Sequence, residues 1–169
     1  MLYGISMKNR TILAIILAVL LLGWMTFIFL LSCEDGNKSG QTSKDVATEI
    51  TEIVMPSKPA EETEKIIEEN HKTIRKSGHF LVYMVLGVLS VSFLSSVVDT
   101  GTKNKLILSV AFCCFYAATD ELHQYFVVGR SGMTEDICLD SVSAFFGIVI
   151  VLIAEMLYRK LKSKKLYIS

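Results

Sequence analysis

The sequence predicts an all-α, polytopic integral membrane protein: a four-helix transmembrane bundle with short extracytoplasmic amphipathic helices. Three observations carry this. Apolar residues make up 51% of the chain and gather in blocks rather than stripes. Mean hydropathy is +0.48. The blocks, at about 11–31, 80–98, 106–126 and 137–158, approach or exceed the roughly 20 residues that a helix needs to cross hydrocarbon. Residues 1–169 read as a single membrane domain with one long extracytoplasmic loop, 32–77, and no internal repeat. The 17 basic and 17 acidic residues balance, which excludes the basic surplus of a nucleic-acid binder.

The first block follows Lys8 and Arg10, runs from Thr11 to Leu31 without a charge, and carries Trp24 deep inside. A signal peptide is the rival reading, because Leu30-Leu31-Ser32-Cys33 mimics a lipoprotein cleavage site. The apolar run is longer than a signal core, which favours a retained helix. In the loop, Val46, Ile50, Ile53 and Val54 recur at helical spacing and stop before Pro56. After Pro59, the acidic Glu61, Glu62 and Glu64 suit a helix N-terminus, and Ile66, Ile67, Asn70 and Ile74 continue one face. Two short amphipathic helices are expected here, on the membrane surface or over the bundle mouth. A partly disordered acidic loop is the alternative, above all for the first. The second and third spans are joined by the tight polar turn Asp99 to Lys105, and the third and fourth by Gly129 to Asp136. Of four cysteines, Cys113 and Cys114 sit in an apolar block and read as small buried residues. Cys33 and Cys138 are expected on one side of the membrane, where a disulfide would need geometry that sequence does not supply.

Orientation follows from Lys and Arg at the helix ends. Arg159, Lys160, Lys162, Lys164 and Lys165 crowd the C-terminal tail, Lys103 and Lys105 the second-to-third turn, and Lys8 and Arg10 the N-terminus. With four spans these share one side, so both termini are predicted cytoplasmic and the long loop external.

Three cations resist that trend: Arg75, Lys76 and Arg130 adjoin the membrane on the predicted outer side. There they meet Asp120, Glu121, Glu135, Asp136 and Asp140, with His79 and His123. Charge at membrane depth is costly and faces the bundle interior or a watery cavity. Helical spacing agrees. His79, Tyr83, Gly87 and Ser90 share a face, as do Tyr116, Asp120, His123 and Gln124, and Asp136, Asp140, Ser143 and Gly147. Three such stripes on one axis make a funnel open outward, with small residues allowing close helix approach.

These residues also carry a resemblance. Arg75-Lys76-Ser-Gly-His79-Phe80-Leu-Val-Tyr83-Met-Val-Leu86-Gly87 resembles the first signature of the VanZ-like family, and Asp120-Glu121-Leu-His123-Gln124-Tyr-Phe126-Val-Val-Gly129-Arg130-Ser131-Gly132 its second. Asp136, Asp140, Ser141, Ala144 and Gly147 match the spacing that follows, and Ser32, Gly36, Ser39 and Ser43 resemble the serine-rich stretch after the family's first helix. Val128 stands where the family has proline, and Ser143 where it has glycine. The resemblance implies a bacterial cell-envelope membrane protein associated with resistance to the glycopeptide teicoplanin.

Three readings of the polar cluster stay open. In the first it is interhelical glue, with Asp120–Arg130 or Asp136–Lys76 as buried ion pairs. In the second, Arg75, Lys76, His79, Tyr83, Gln124, Arg130, Asp136 and Asp140 bind an anionic membrane lipid, a lipid-linked cell-wall precursor or a lipoglycopeptide; guanidinium suits phosphate because it binds in a bidentate fork. In the third, His123 is a general base oriented by Asp120 or Glu121, with the arginines stabilising phosphoryl charge. A metal held by His79, His123 and a carboxylate belongs to that reading. No HExxH or similar motif is present, no cofactor is expected, and Ser77 and Ser131 have no stronger claim than loop formation.

Overall fold

The computed structural model describes residues 7–54, 60–130 and 134–168. Five helices follow in order: α1 (Met7–Ser32), α2 (Gly36–Val54), α3 (Ala60–Val97), α4 (Thr102–Gln124) and α5 (Thr134–Ile168). The described residues contain no strand. Four helices, α1, α3, α4 and α5, are long and apolar enough to cross a membrane. Their outward faces carry a belt of exposed apolar side chains, including Ile12, Ile16, Val19, Leu81, Ile107, Phe115, Phe146 and Ile153. In water such a surface would aggregate; in lipid it is the solvated surface.

α3 is the hub and packs against every other helix. Its closest partner is α5, and the reason lies in two glycines. A Cβ on Gly87 would land on the Ala144 carbonyl, and one on Gly147 on the Met84 carbonyl. The two backbones therefore touch where side chains would otherwise separate them. Around this crossing Tyr83, Leu86, Val91, Ala144, Ile148 and Leu152 are buried, joined by Leu21 and Ile28 of α1 and Cys113 and Ala117 of α4. Ser143, in place of the family's glycine, is fully buried in the same seam, and its hydroxyl donates to the Leu139 carbonyl at 2.6 Å. Trp24, deep in α1, donates its indole N–H to the Val82 carbonyl at 2.9 Å, which satisfies the one polar atom it carries.

Two expectations are corrected. The helix through Ile66 and Ile74 is not separate from the second span: both belong to the 38-residue α3. Nothing between Thr73 and Phe80 breaks the ladder, since Ser77 and Gly78 both tolerate helix and no proline intervenes. A helix of that length spans about 57 Å, nearly twice the roughly 30 Å hydrocarbon core, so its first half stands beyond the bilayer. The first amphipathic helix is α2, but its orientation differs from a simple apolar-face-down arrangement. α2 packs on α3 alone, and the buried residues are the small Ser43, Ala47 and Thr51, while Val46, Ile50, Ile53 and Val54 are exposed. Small side chains bring the two helices close, and Lys44 meets Glu68 across them at 2.6 Å.

The second correction concerns Lys105. The sequence ends the polar turn on it, whereas it lies inside α4 and is buried, with its Nζ 3.2 Å from Glu155 Oε2 of α5. Arg159 adds a second cation to Glu155 at 3.5 Å. At the same end Arg10 Nε donates to the Ser96 carbonyl at 2.8 Å, tying α1 to α3. The prolines expected to end and start helices, Pro56 and Pro59, lie outside the described residues.

Candidate functional site

The polar cluster lies at the opposite end, where α1 ends, α2 starts, α4 ends and α5 starts. Its frame is a turn. After Gln124 the chain makes two tight bonds, Phe126 N to His123 O and Val127 N to Gln124 O, each 3.0 Å. Gly129 then takes φ 76, a left-handed conformation in which only glycine is unstrained. Gly36 seats against this turn: its N–H donates to the Val128 carbonyl at 3.2 Å, and a Cβ there would strike the Gly129 carbonyl. Val128 needs only to offer its carbonyl, which explains why a residue other than proline serves.

Arg130 leaves the turn and reaches back to α1. Its Nε donates to the Glu34 carbonyl at 3.0 Å and its Nη2 to the Leu31 carbonyl at 2.8 Å. These acceptors sit at the C-terminal end of α1, where carbonyls lack helical partners and a cation is favoured. The direct Asp120–Arg130 ion pair considered from sequence is not formed. Burial first, then the neighbouring Arg75, pulls the Arg130 pKa below the usual guanidinium range, and Asp120, Glu34 and Glu121 offset this. A guanidinium does not lose its proton at physiological pH, so the group stays charged and its partial burial favours an anion nearby. Its third nitrogen, Nη1, is buried without a hydrogen-bond partner.

Asp120 anchors the interior. Its Oδ2 accepts from Ser32 Oγ at 2.8 Å, Tyr83 OH at 2.9 Å and Gln124 Nε2 at 3.0 Å, which joins α1, α3 and α4 at one atom. Oδ1 of the same carboxylate is buried with no partner. Asp140 of α5 is 1% exposed, and its Oδ1 also lacks a hydrogen bond. The Nδ1 of His79 lies 3.8 Å from it. Glu121 is buried beside Asp120 on α4.

A cavity of about 330 Å³ opens over this cluster. Arg75, His79, Tyr83, Arg130 and several hydroxyls supply polar groups to its wall, with one carboxylate, Glu34, which is paired with Lys38 at 3.0 Å; Ile28, Leu31, Val46, Ile74 and Val82 supply apolar ones. Of the residues expected at a ligand site, Arg75, His79, Tyr83 and Arg130 line it. Gln124 and Asp140 lie behind the lining, Gln124 through Asp120 and Asp140 beside His79. Asp136, partly buried at the start of α5, is among the charges acting on His79. Lys76 is exposed and lines no part of the cavity; the Asp136–Lys76 ion pair is not formed among the described residues.

His123 lies elsewhere. Its ring stacks on Phe29 with centroids 4.7 Å apart, and its Nε2 is 3.3 Å from Cys33 Sγ. All three donors to Asp120 Oδ2 come from other residues, so Asp120 does not orient His123 as a base. His79 and His123 face different surroundings, and among the described residues no three His, Cys, Asp or Glu side chains are grouped to hold a metal. Cys33 and Cys138 are both free and exposed, and no disulfide joins them. Ser131 lies outside the described residues.

Sequence reasoning missed Ser32, which closes the Asp120 knot, and the α1 carbonyls that hold Arg130. The first had a signal, a serine ending an apolar block; main-chain acceptors leave none.

Neither a curated protein nor a solved structure matches the chain significantly. The family model described as VanZ/LLP1 matches residues 17–155. That stretch takes in the second, larger part of α1, all of α2 and α3, the Asp120 knot, the Arg130 turn and most of α5, and the chain belongs to the VanZ/LLP1 family.

Proposed function

We propose that this VanZ-family protein is a multi-pass protein of the bacterial cell membrane that binds the anionic group of a membrane amphiphile in the cavity between α1, α2 and α3. The candidate ligands are an anionic lipid, a lipid-linked cell-wall precursor or a lipoglycopeptide. One observation carries the reading: Arg130 stands half-buried and charged at the cavity wall, with its Nη1 atom buried and unpartnered. An unsatisfied buried guanidinium nitrogen is costly, and an anion's oxygen satisfies it. Arg75 on the same wall adds charge, and the apolar residues around both suit a ligand that is part hydrocarbon. The basic tail, Arg159 to Lys165, supports an orientation with both termini in the cytoplasm and the cavity facing outward. An effect on teicoplanin susceptibility would then follow from how an occupied cavity changes the seating of a lipidated glycopeptide at the membrane.

The test is lipid retention. The purified protein is placed in phosphatidylcholine nanodiscs containing a minority of dioleoyl phosphatidate, released, and weighed by native mass spectrometry. Wild type should retain phosphatidate over phosphatidylcholine, and Arg75→Gln should lose at least most of that preference. Equal retention of the two lipids by wild type would refute the reading. Arg75 is the cleaner position, because Arg130 also holds α1 and its substitution perturbs the frame.

A further inference from the structure

The cavity holds one group whose chemistry anion binding does not use. His79 lines it, with a side chain 28% exposed, and its Nδ1 faces the 2% exposed Asp140. The Oδ1 nearest that nitrogen makes no hydrogen bond, although buried carboxylate oxygens are nearly always satisfied. A small rotation of the ring shortens the 3.8 Å approach to a hydrogen bond. Nδ1 then carries the proton, and Nε2 is left basic on the cavity side. Arg75 and Arg130 flank the same space. The hydroxyls of Tyr83 and Ser32 are committed to Asp120, and those of Thr42 and Ser43 donate to main-chain carbonyls within α2; water is the nucleophile that His79 serves here.

We propose that the His79–Asp140 pair makes the cavity a hydrolytic site for the phosphate monoester or diphosphate end of a membrane amphiphile; this rests on the anion-binding reading above. Arg75 and Arg130 hold the phosphoryl oxygens and stabilise the charge that gathers on them. Water attacks phosphorus and forms the new P–O bond as the bond to the leaving oxygen breaks. The water's proton passes to His79 Nε2 and from there to the leaving oxygen. Water and the phosphate ester become an alcohol and inorganic phosphate; a diphosphate becomes a monophosphate and inorganic phosphate. His79 is the catalytic residue, and Asp140 is a positioning residue that fixes the ring and stabilises the imidazolium. The other charges facing His79 are Arg75, Arg130, Asp120 and Asp136, of mixed sign, so Asp140 is the contact that sets the tautomer.

The experiment measures binding and turnover side by side. Full-length protein in phosphatidylcholine nanodiscs is given dioleoyl phosphatidate as monoester or farnesyl diphosphate as anhydride. Retention is read by native mass spectrometry and phosphate release by a colorimetric assay. Wild type should release phosphate from at least one probe, and the active probe identifies the class. His79→Gln should lower release about 100-fold with retention within about twofold of wild type. Asp140→Asn should lower release about tenfold and move the acidic limb of the pH–rate profile to lower pH. The sign follows from linkage: the carboxylate raises the pKa of the ring, and its loss lowers it. A merely structural role for Asp140 would not move that limb. Should either variant fail to elute as a single species, the wild-type profile stands alone: rate must fall as a single base is protonated, and a flat profile overturns the proposal. Retention of both probes without phosphate release also overturns it and leaves anion binding intact. Release by His79→Gln at the wild-type rate overturns it as well. Failure of wild type to retain either probe removes the anion-binding reading and this proposal together.

Discussion

The Asp120 knot makes a sharp prediction about stability. Tyr83→Phe removes one of three donors to Oδ2 and leaves Ser32 and Gln124 in place. A hydrogen bond to a charged group contributes about 1.5–3 kcal/mol, so this variant should lose about 2 kcal/mol. Asp120→Ala is different in kind. It strips the acceptor from three donors, and the Tyr83 hydroxyl, on a side chain 1% exposed, is left without a partner. Losing the bonds and stranding the donors should cost about 4 kcal/mol, less than three full bonds because a desolvated carboxylate also disappears. In the double variant the Tyr83 hydroxyl is no longer there to be stranded. The double should therefore cost no more than Asp120→Ala alone, about 4 kcal/mol or less, rather than the additive value of about 6, a coupling of at least about 2 kcal/mol. Equilibrium unfolding in mixed micelles, read by tryptophan fluorescence, measures all four corners of the cycle; Trp24 reports because it bridges α1 to α3. Additivity within about 0.5 kcal/mol would show that Tyr83 and Asp120 do not act as a unit.

Other outcomes follow from the packing and the charges. Lys105→Met should destabilise by about 3 kcal/mol, because Glu155, whose side chain is 12% exposed, keeps only the more exposed Arg159 as a cation partner at 3.5 Å, while Lys105→Met with Glu155→Leu should recover most of that loss; thermal stability by size exclusion measures both. Gly147→Leu should abolish assembly of the monodisperse protein, since its Cβ has no room beside the Met84 carbonyl, whereas Ser143→Gly should be tolerated within about 1 kcal/mol. In a cysteine-free background, impermeant maleimide applied to cells should label Glu52→Cys and not Ser163→Cys; the reverse pattern would invert the proposed orientation.

Much of this architecture was legible because the bilayer simplifies the code. Apolar length marked the spans, and helical spacing marked the faces: Gly87 and Gly147 do meet partner backbones, and Tyr83, Asp120 and Gln124 do share one network. What escaped has physical reasons. The continuity of α3 was hidden because polarity changes at Ser77 while helix propensity does not, so a change of solvent looked like the end of an element. One of the readings gave Arg130 a carboxylate partner, but it binds main-chain carbonyls, and every residue offers those equally. Lys105 looked like a turn lysine because its partner Glu155 lies on another helix. His123 looked equivalent to His79, since both fall at the predicted outer end of a span, on its polar stripe. The position of α1 separates them: Phe29 and Cys33 cover His123, and the cavity opens on His79.

The most direct test of anionic recognition is a structure determined in nanodiscs containing dioleoyl phosphatidate. The account predicts phosphate density inside the cavity, within hydrogen-bond distance of Arg130 Nη1 and flanked by Arg75, with the acyl chains leaving along Leu31 and Val46. A cavity without phosphate density, with phosphatidate ordered only along the outer belt of α1 and α4, would contradict it.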